Sequence, residues 1–445
     1  MNWEKLLNSS RLNDDKPRDD RDPRSPFQQD IDRIVFSSAF RRLAHKTQVH
    51  PLTENDHTHT RLTHSIEVSS VGRSLGTLVG SRLRETDTQF RATGITADEV
   101  GYIVQAACLA HDIGNPPFGH SGEKAIASWF SEKRKGGWAP FDDLSPIECA
   151  DLEKFEGNAV GFRILSQLEN NRFRGGLRLT YAVLSTFTKY PSGADASKDG
   201  YIGTKKNGFF QSEKAVFETV ATATGLLCHD QGDTWKRHPF TFLVEAADDI
   251  CNLIIDLEDA YYMGALPYGD VAKIMSGLSQ IDNLREDKSE KERIGFLRSQ
   301  AIGKSVDLAA DYFMAHLADY LAGKKTNPIV QDIETADAFD RAARKCLEVF
   351  RMESITQKEL AGYSVLHGLL DEFCAAIEDL RHKGWDRKAT SHKSQHLLRL
   401  IGDDFPGDPS SLRTYDALMI VTDYLSSMTD RYALGLYQRL RGIAV

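Results

Sequence analysis

The sequence predicts a mainly α-helical protein, and three observations carry that expectation. Apolar residues recur at steps of three and four, as in Ile66, Val68, Val71, Leu75, Leu78 and Val79. Convincing strand patterns, with apolar and polar residues alternating between turn signals, are few. The helical runs are separated by charged or Gly- and Pro-containing turns such as REDKSEKER. With 445 residues the chain can bury a large core as one domain or as two to three smaller ones.

Composition bounds the function. Charged residues make up 27% and hydrophobic residues 41%, as in ordinary soluble globular proteins. The formal net charge of -9 argues against a protein that coats nucleic acid, while local basic patches stay open. No apolar run approaches the roughly 18 residues that span a bilayer. The charged start MNWEKLLNSSRLNDDKPRDDRDP has no hydrophobic leader, so no membrane partner and a cytoplasmic location are expected. The six cysteines are scattered, without a CxxC pair, and are expected to be buried thiols rather than zinc ligands or disulfides.

Taken in order, residues 1–26 alternate Arg and Asp around three prolines, which suits an extended arm, either a solvated tail or a subunit contact. From Gln28 to His45, Ile31, Ile34, Val35, Ala39 and Leu43 keep helical spacing, with Arg33, Arg41 and Arg42 between them to hold phosphate or to solvate the helix. The stretch KTQVHPLTENDHTHTRLTHSIEV then brings Gln48, His50, His57, His59, Arg61 and His64. His57 and His59 are expected in solvent, whereas His64 opens a core helix that can hold it rigidly. A polar connection is expected over 82–97.

Tyr102 to Ala110 (YIVQAACLA) is a core helix by composition, which places His111 and Asp112 at its last turn. A carboxylate there is costly unless a positive charge faces it, and a divalent cation shared with the imidazole is the simplest candidate. Gly114 and Asn115-Pro116-Pro117 stop that helix, and the next is expected to start near Ser121 as its cap, two residues before Glu123. Ser131 to Asp143 reads as a surface loop, followed by helices through KFEGNAVGFRILSQL and LTYAVLSTFTKY. The loop from Pro191 to Lys206 either closes over an anionic ligand or is a plain surface excursion.

From Phe242 to Ala260, Val244, Ala247, Ile250, Cys251, Ile254 and Leu257 form an apolar face beside a stripe of Glu245, Asp248, Asn252, Asp256 and Asp259. So many acids on a buried-looking helix need something positive opposite them, a metal or a phosphate-binding cluster. Lys273 to Val445 reads as amphipathic helices without a phosphate loop, zinc spacing or nucleophile elbow.

His64, then His111-Asp112, then Asp248 resemble the H…HD…D pattern of the HD-domain metal phosphohydrolases. More narrowly, AFRRLAHKTQV, TRLTHSIEV, AHDIGNPPFGH, FEGNA, FTKYP and EAADDI resemble the bacterial deoxyguanosinetriphosphate triphosphohydrolase family and its dNTPase-like relatives. The resemblance runs from about Phe27 to Ala260, with MTDRYALGLYQRL near the C-terminus also similar. It implies an all-α fold with an HD-domain helical core plus additional helices, organised as an arm (1–26), an HD-type catalytic core (27–265) and a helical C-terminal part packed on the core (266–445).

By the resemblance, His64, His111, Asp112 and Asp248 hold one divalent cation, magnesium, manganese or similar. Asp248 is preferred to Asp249 because it shares a helical face with Asn252 and Asp256. His120 and Glu123 fall where the family has its catalytic pair, and Glu123 can orient the imidazole that moves the proton. The implied reaction cleaves a dNTP to deoxynucleoside and tripolyphosphate. Arg61 and Lys189 are implied to neutralise phosphates, Gln48 and Asp256 to bond the sugar 3′ hydroxyl, and Asn158 and Tyr190 to line the pocket. Relatives commonly carry tyrosine where this chain has Asn252, so its sugar discrimination is expected to differ. Relatives are oligomers, often hexamers, and some bind a nucleotide or single-stranded DNA effector. Two other readings remain at this level: an HD phosphohydrolase for another nucleotide, and a catalytically silent nucleotide or single-stranded DNA sensor.

Overall fold

The computed structural model describes residues 1–13, 22–48, 59–169, 175–196, 200–229, 233–281, 287–350 and 353–443. Among them the secondary structure is helical, and extended pairing is limited to isolated bridges such as Thr47 with Thr60. The fold is all-α, as its periodicity requires.

At the centre, the Arg61–Thr86 and Ala97–Ala110 helices share the most extensive helix–helix contact among the described residues. Small residues set their closeness. A methyl group on Gly76 would lie 3.0 Å from the Gly101 Cα, and one on Gly80 would lie 2.9 Å from the Ala97 Cα. Side chains there would force the backbones apart, so glycines four residues apart on one face fix the spacing. Capping boxes at Thr60 and Thr96 fix where the two helices begin. The Thr241–Tyr262 helix packs on both. His64, the His111 turn and Asp248 therefore rise from three mutually packed elements.

The Gly119–Lys135 helix lies against the long C-terminal Glu353–His382 helix. Trp129 Nε1 donates to Asp371 Oδ1 at 3.0 Å, and Trp138 Nε1 to Glu378 Oε2 at 2.8 Å. Apolar contacts run without a break from Trp3 to Leu436. No helix among the described residues is long and apolar enough to cross a membrane.

Several local expectations are corrected. The first residues are not a solvated arm: Trp3 and Leu6 are buried in a short Trp3–Leu6 helix, and Arg11 pairs with the buried Asp30. Burying an indole and a leucine outweighs the polar composition that follows them. The polar stretch after Gly80 stays helical to Thr86, and Thr88–Ala92 is helical again because Asp87 caps it. Helix continues to Lys135 and a 3-10 turn covers Ala139–Asp143, since Trp138 and Phe141 have aromatic partners inside the fold. In the REDKSEKER turn, Ser289 caps a helix that starts at Glu290. Cys228 is exposed, while the other five cysteines are buried.

Candidate active site

His64 sits one turn into its helix and is buried, with Nε2 3.2 Å from Asp248 Oδ1. His111 Nε2 lies 3.5 Å from the same oxygen, and the two imidazole rings stand edge to face at 5.1 Å. His111 Nδ1 is 2.7 Å from the Cys108 carbonyl, which can only accept, so Nδ1 carries a proton, and in the neutral imidazole Nε2 is the nitrogen with the lone pair. That Nε2 is buried with no hydrogen-bond partner. A lone pair facing a carboxylate oxygen needs a positive charge between them, and two imidazole nitrogens with one carboxylate are a donor set for a borderline divalent cation. His64, His111 and Asp248 bring one ligand atom each within 4.8 Å of one another. They form a candidate metal cluster, and the donor chemistry fits.

Asp112 stands at its edge. Its Oδ1 is 3.7 Å from His111 Nε2, while Oδ2 accepts from Arg61 Nη1 at 2.7 Å and Asn115 donates to Oδ1. Burial alone would raise this carboxyl, but Arg61 first and the two histidines next hold it down to about 2. Asp248 is likewise buried, and His111, the His64 hydrogen bond and Lys189 pull it well below the usual carboxylate range. Its neighbour Asp249 faces no comparable set, and burial pushes it up to about 7. The carboxylate that reaches both histidines is thus Asp248.

The second group is His120 with Glu123. The Gly119–Lys135 helix has no side-chain cap; it starts from Phe118 in the left-handed conformation (φ 65), and Ser121 lies inside its first turn instead of capping it. The start is set by tertiary contacts: Arg61 Nη2 packs so close over Gly119 that a methyl group there would meet it at 2.4 Å. His120 Nδ1 donates to Glu123 Oε2 at 2.7 Å, so Nε2 is the atom left for the cavity. Glu123 is buried, and its other oxygen accepts from the Gly157 amide at 2.7 Å. Burial opposes its charge, yet His120 and Lys206 keep it below its ordinary value.

A cavity of about 600 Å³ joins these groups. Gln48, Arg61, His111, Asp112, His120, Asn158, Lys189, Tyr190, Asp248, Asn252 and Asp256 all line it. Asn252 Nδ2 donates to Asp248 Oδ1 at 2.7 Å, and Gln48 Nε2 donates to Asn252 Oδ1 at 3.3 Å. Lys189 Nζ is 3.3 Å from Glu245 and 4.0 Å from Asp248. Burial would lower it, but Glu245 first keeps it raised and charged. Burial pushes Asp256 up to about 7. Eleven of the residues assigned to the site from the sequence thus line one cavity, while His64 and Glu123 are not in its lining and reach it through Asp248 and His120.

Other residues were missed or misplaced. His59 is not a solvent histidine: its Nδ1 lies 2.6 Å from Asp259 and its Nε2 3.4 Å from Glu67. His50 and His57 lie outside the described residues. Arg33 donates to the Leu177 carbonyl at 2.8 Å and so joins its helix to that segment. Arg237, which sequence reading passed over, is buried, bonds Glu245 at 2.9 Å and lies over the Tyr190 ring at 5.4 Å. A lone Arg in KRHPF gives no periodic signal; only the unexplained acid Glu245 pointed to such a partner. Lys206, at the end of the Pro191 loop, lines the cavity and pairs with Glu156 at 2.8 Å.

A helical core with a His/His/Asp cluster and an adjacent His-Glu pair defines a phosphohydrolase of the HD class, and residues 61–171 match the HD domain family. The chain belongs to the deoxyguanosinetriphosphate triphosphohydrolase-like family. It is 41% identical to the deoxyguanosinetriphosphate triphosphohydrolase-like protein of Pseudomonas aeruginosa (strain LESB58), over 99% of each chain. The protein of that description from Synechocystis sp. is 39% identical over the whole of both chains. The deoxyguanosinetriphosphate triphosphohydrolase of Yersinia pestis (strain Pestoides F) is 31% identical over 93% of each.

Proposed function

We propose that this protein hydrolyses deoxynucleoside triphosphates, dGTP or several dNTPs, to deoxynucleoside and tripolyphosphate, using a divalent cation such as Mg or Mn. The observation that carries the reading is the convergence of His64, His111 and Asp248 on one point beside a cavity whose wall holds His120 hydrogen-bonded to a buried Glu123. The name of the Yersinia pestis relative, deoxyguanosinetriphosphate triphosphohydrolase, agrees with it.

His64, His111, Asp248 and Asp112 would hold the cation. When bound, it supplies Lewis-acid charge at the α-phosphate. Arg61 and Lys189 face the phosphates, and their existing carboxylate partners keep them oriented. Gln48, Asn252 and Asp256 form the sugar end, with Asp256 supplying a proton donor near neutral pH because burial keeps its carboxyl partly protonated. Asn158 and Tyr190 complete the wall.

In the reaction a water oxygen bonds to the α-phosphorus and the bond to the 5′ oxygen breaks. The water loses a proton, and the departing 5′ oxygen gains one. His120 is suited to this transfer, since Glu123 fixes its tautomer and leaves Nε2 toward the cavity. A panel of dNTPs, NTPs and an alarmone, assayed for tripolyphosphate with Mn or Mg, tests the proposal. Tripolyphosphate from dNTPs supports it. Release of pyrophosphate and monophosphate alone, or activity confined to other nucleotides, overturns it.

A further inference from the structure

The motif at the C-terminus has no part in the chemistry above, yet it reaches into the site. Asp430 opens the Asp430–Leu440 helix and is only 2% exposed. Its Oδ1 accepts from the Phe118 amide at 3.0 Å, and its Oδ2 accepts from the Thr47 amide at 3.1 Å and the Thr47 hydroxyl at 2.7 Å. One carboxylate thus ties together segments more than 300 residues away in the sequence. The same segments are joined a second time, because the buried Lys46 Nζ donates to the Asn115 and Ser426 carbonyls, each at 2.6 Å.

The places it grips are telling. Phe118 is the non-glycine residue held at φ 65 from which the His120 helix starts. L side chains avoid that conformation, so it persists only where surrounding contacts dictate it. Thr47 immediately precedes Gln48, whose own side chain reaches Asn252 at 3.3 Å. We propose that Asp430 is a positioning residue for the reaction, which sets His120 through Phe118 and Gln48 through Thr47, so that the C-terminal helix is part of the active-site scaffold. The inference rests on the proposed dNTP hydrolysis for its kinetic consequence, though not for its structural one.

Asp430→Asn is nearly isosteric, but in either orientation of the amide its NH₂ group would face a backbone N–H, of Phe118 or of Thr47, that now finds an acceptor there. In the full-length protein, backbone hydrogen exchange over 115–123 and 46–48 should speed up by at least about tenfold in this variant, with the Arg61–Thr86 helix unchanged. The kcat for dNTP should fall by about tenfold or more, because small displacements of a proton-transfer group are costly, and its pH profile should shift. Thr47→Val deletes only one arm and should raise KM severalfold with little change in kcat; it carries the test should Asp430→Asn fail to fold. A lower melting temperature with unchanged exchange in both segments, unchanged kcat, KM and pH profile per folded molecule would make Asp430 merely structural and overturn the inference. A protein that splits no dNTP yet shows the exchange result would overturn the proposed reaction and leave the scaffold role standing.

Discussion

The His120 Nδ1–H donates a hydrogen bond to Glu123 Oε2 across 2.7 Å, although the histidine side chain is 72% exposed and the glutamate side chain 6%. A buried anion anchors an imidazole that stands in the cavity, the arrangement that fixes a tautomer without blocking the reactive nitrogen. His120→Ala is therefore expected to lower kcat by about 10² to 10⁴ while substrate still binds. Glu123→Gln, which keeps a hydrogen-bond partner but no charge, should lose less than His120→Ala. Steady-state kinetics with dGTP checks both.

Asn252 holds Asp248 at 2.7 Å and is itself held by Gln48. Removing a hydrogen bond that orients a ligand typically weakens metal binding by about 10 to 100-fold. Asn252→Ala should thus bind Mn about tenfold more weakly in a calorimetric titration, and Asp248→Asn should abolish measurable binding. Unchanged affinity in both would remove Asp248 from the cluster.

The histidines and acids of this site stand at a helix start, at a helix end or on a helical stripe, where position follows from period. The glycine row at 72, 76 and 80 explains why those helices come close, but spacing alone does not say which partner they approach. Contacts between distant segments left no trace in the pattern: Arg237 on Glu245, Asp430 on Phe118, and His59 on Asp259. Ser121 has the right chemistry for a cap, yet the Asp430 and Arg61 contacts start the helix earlier. Local propensity lost to tertiary contacts there, as it did at Trp3.

His59 illustrates how pairing sets a pH response. Its hydrogen bonds, to Asp259 first and Glu67 second, raise its pKa from 6.5 to about 10. A group raised in the folded state contributes stability that is complete below the unfolded value and fades as pH rises toward the folded one. The stability difference between the wild type and His59→Gln should accordingly be largest below pH 6.5 and shrink between 6.5 and about 10. Urea unfolding across that range measures it; a difference that grows with pH would refute the pairing.

Arg163 bridges Asp423, at 2.9 Å, and Glu213, which is fully buried. Arg163→Met fills similar space but strands two carboxylates, and loss of one partner from a buried ion pair costs about 3 to 5 kcal/mol. Chemical denaturation should reveal that loss, and Glu213→Gln in the same background should recover part of it.

Hydrolysis of dGTP in ¹⁸O-labelled water, with Mn and mass analysis of both products, addresses the central claim most directly. Attack at the α-phosphorus predicts label in tripolyphosphate, none in deoxyguanosine, and loss of turnover in His111→Ala. Label in a monophosphate released with pyrophosphate, or in the nucleoside itself, would contradict it.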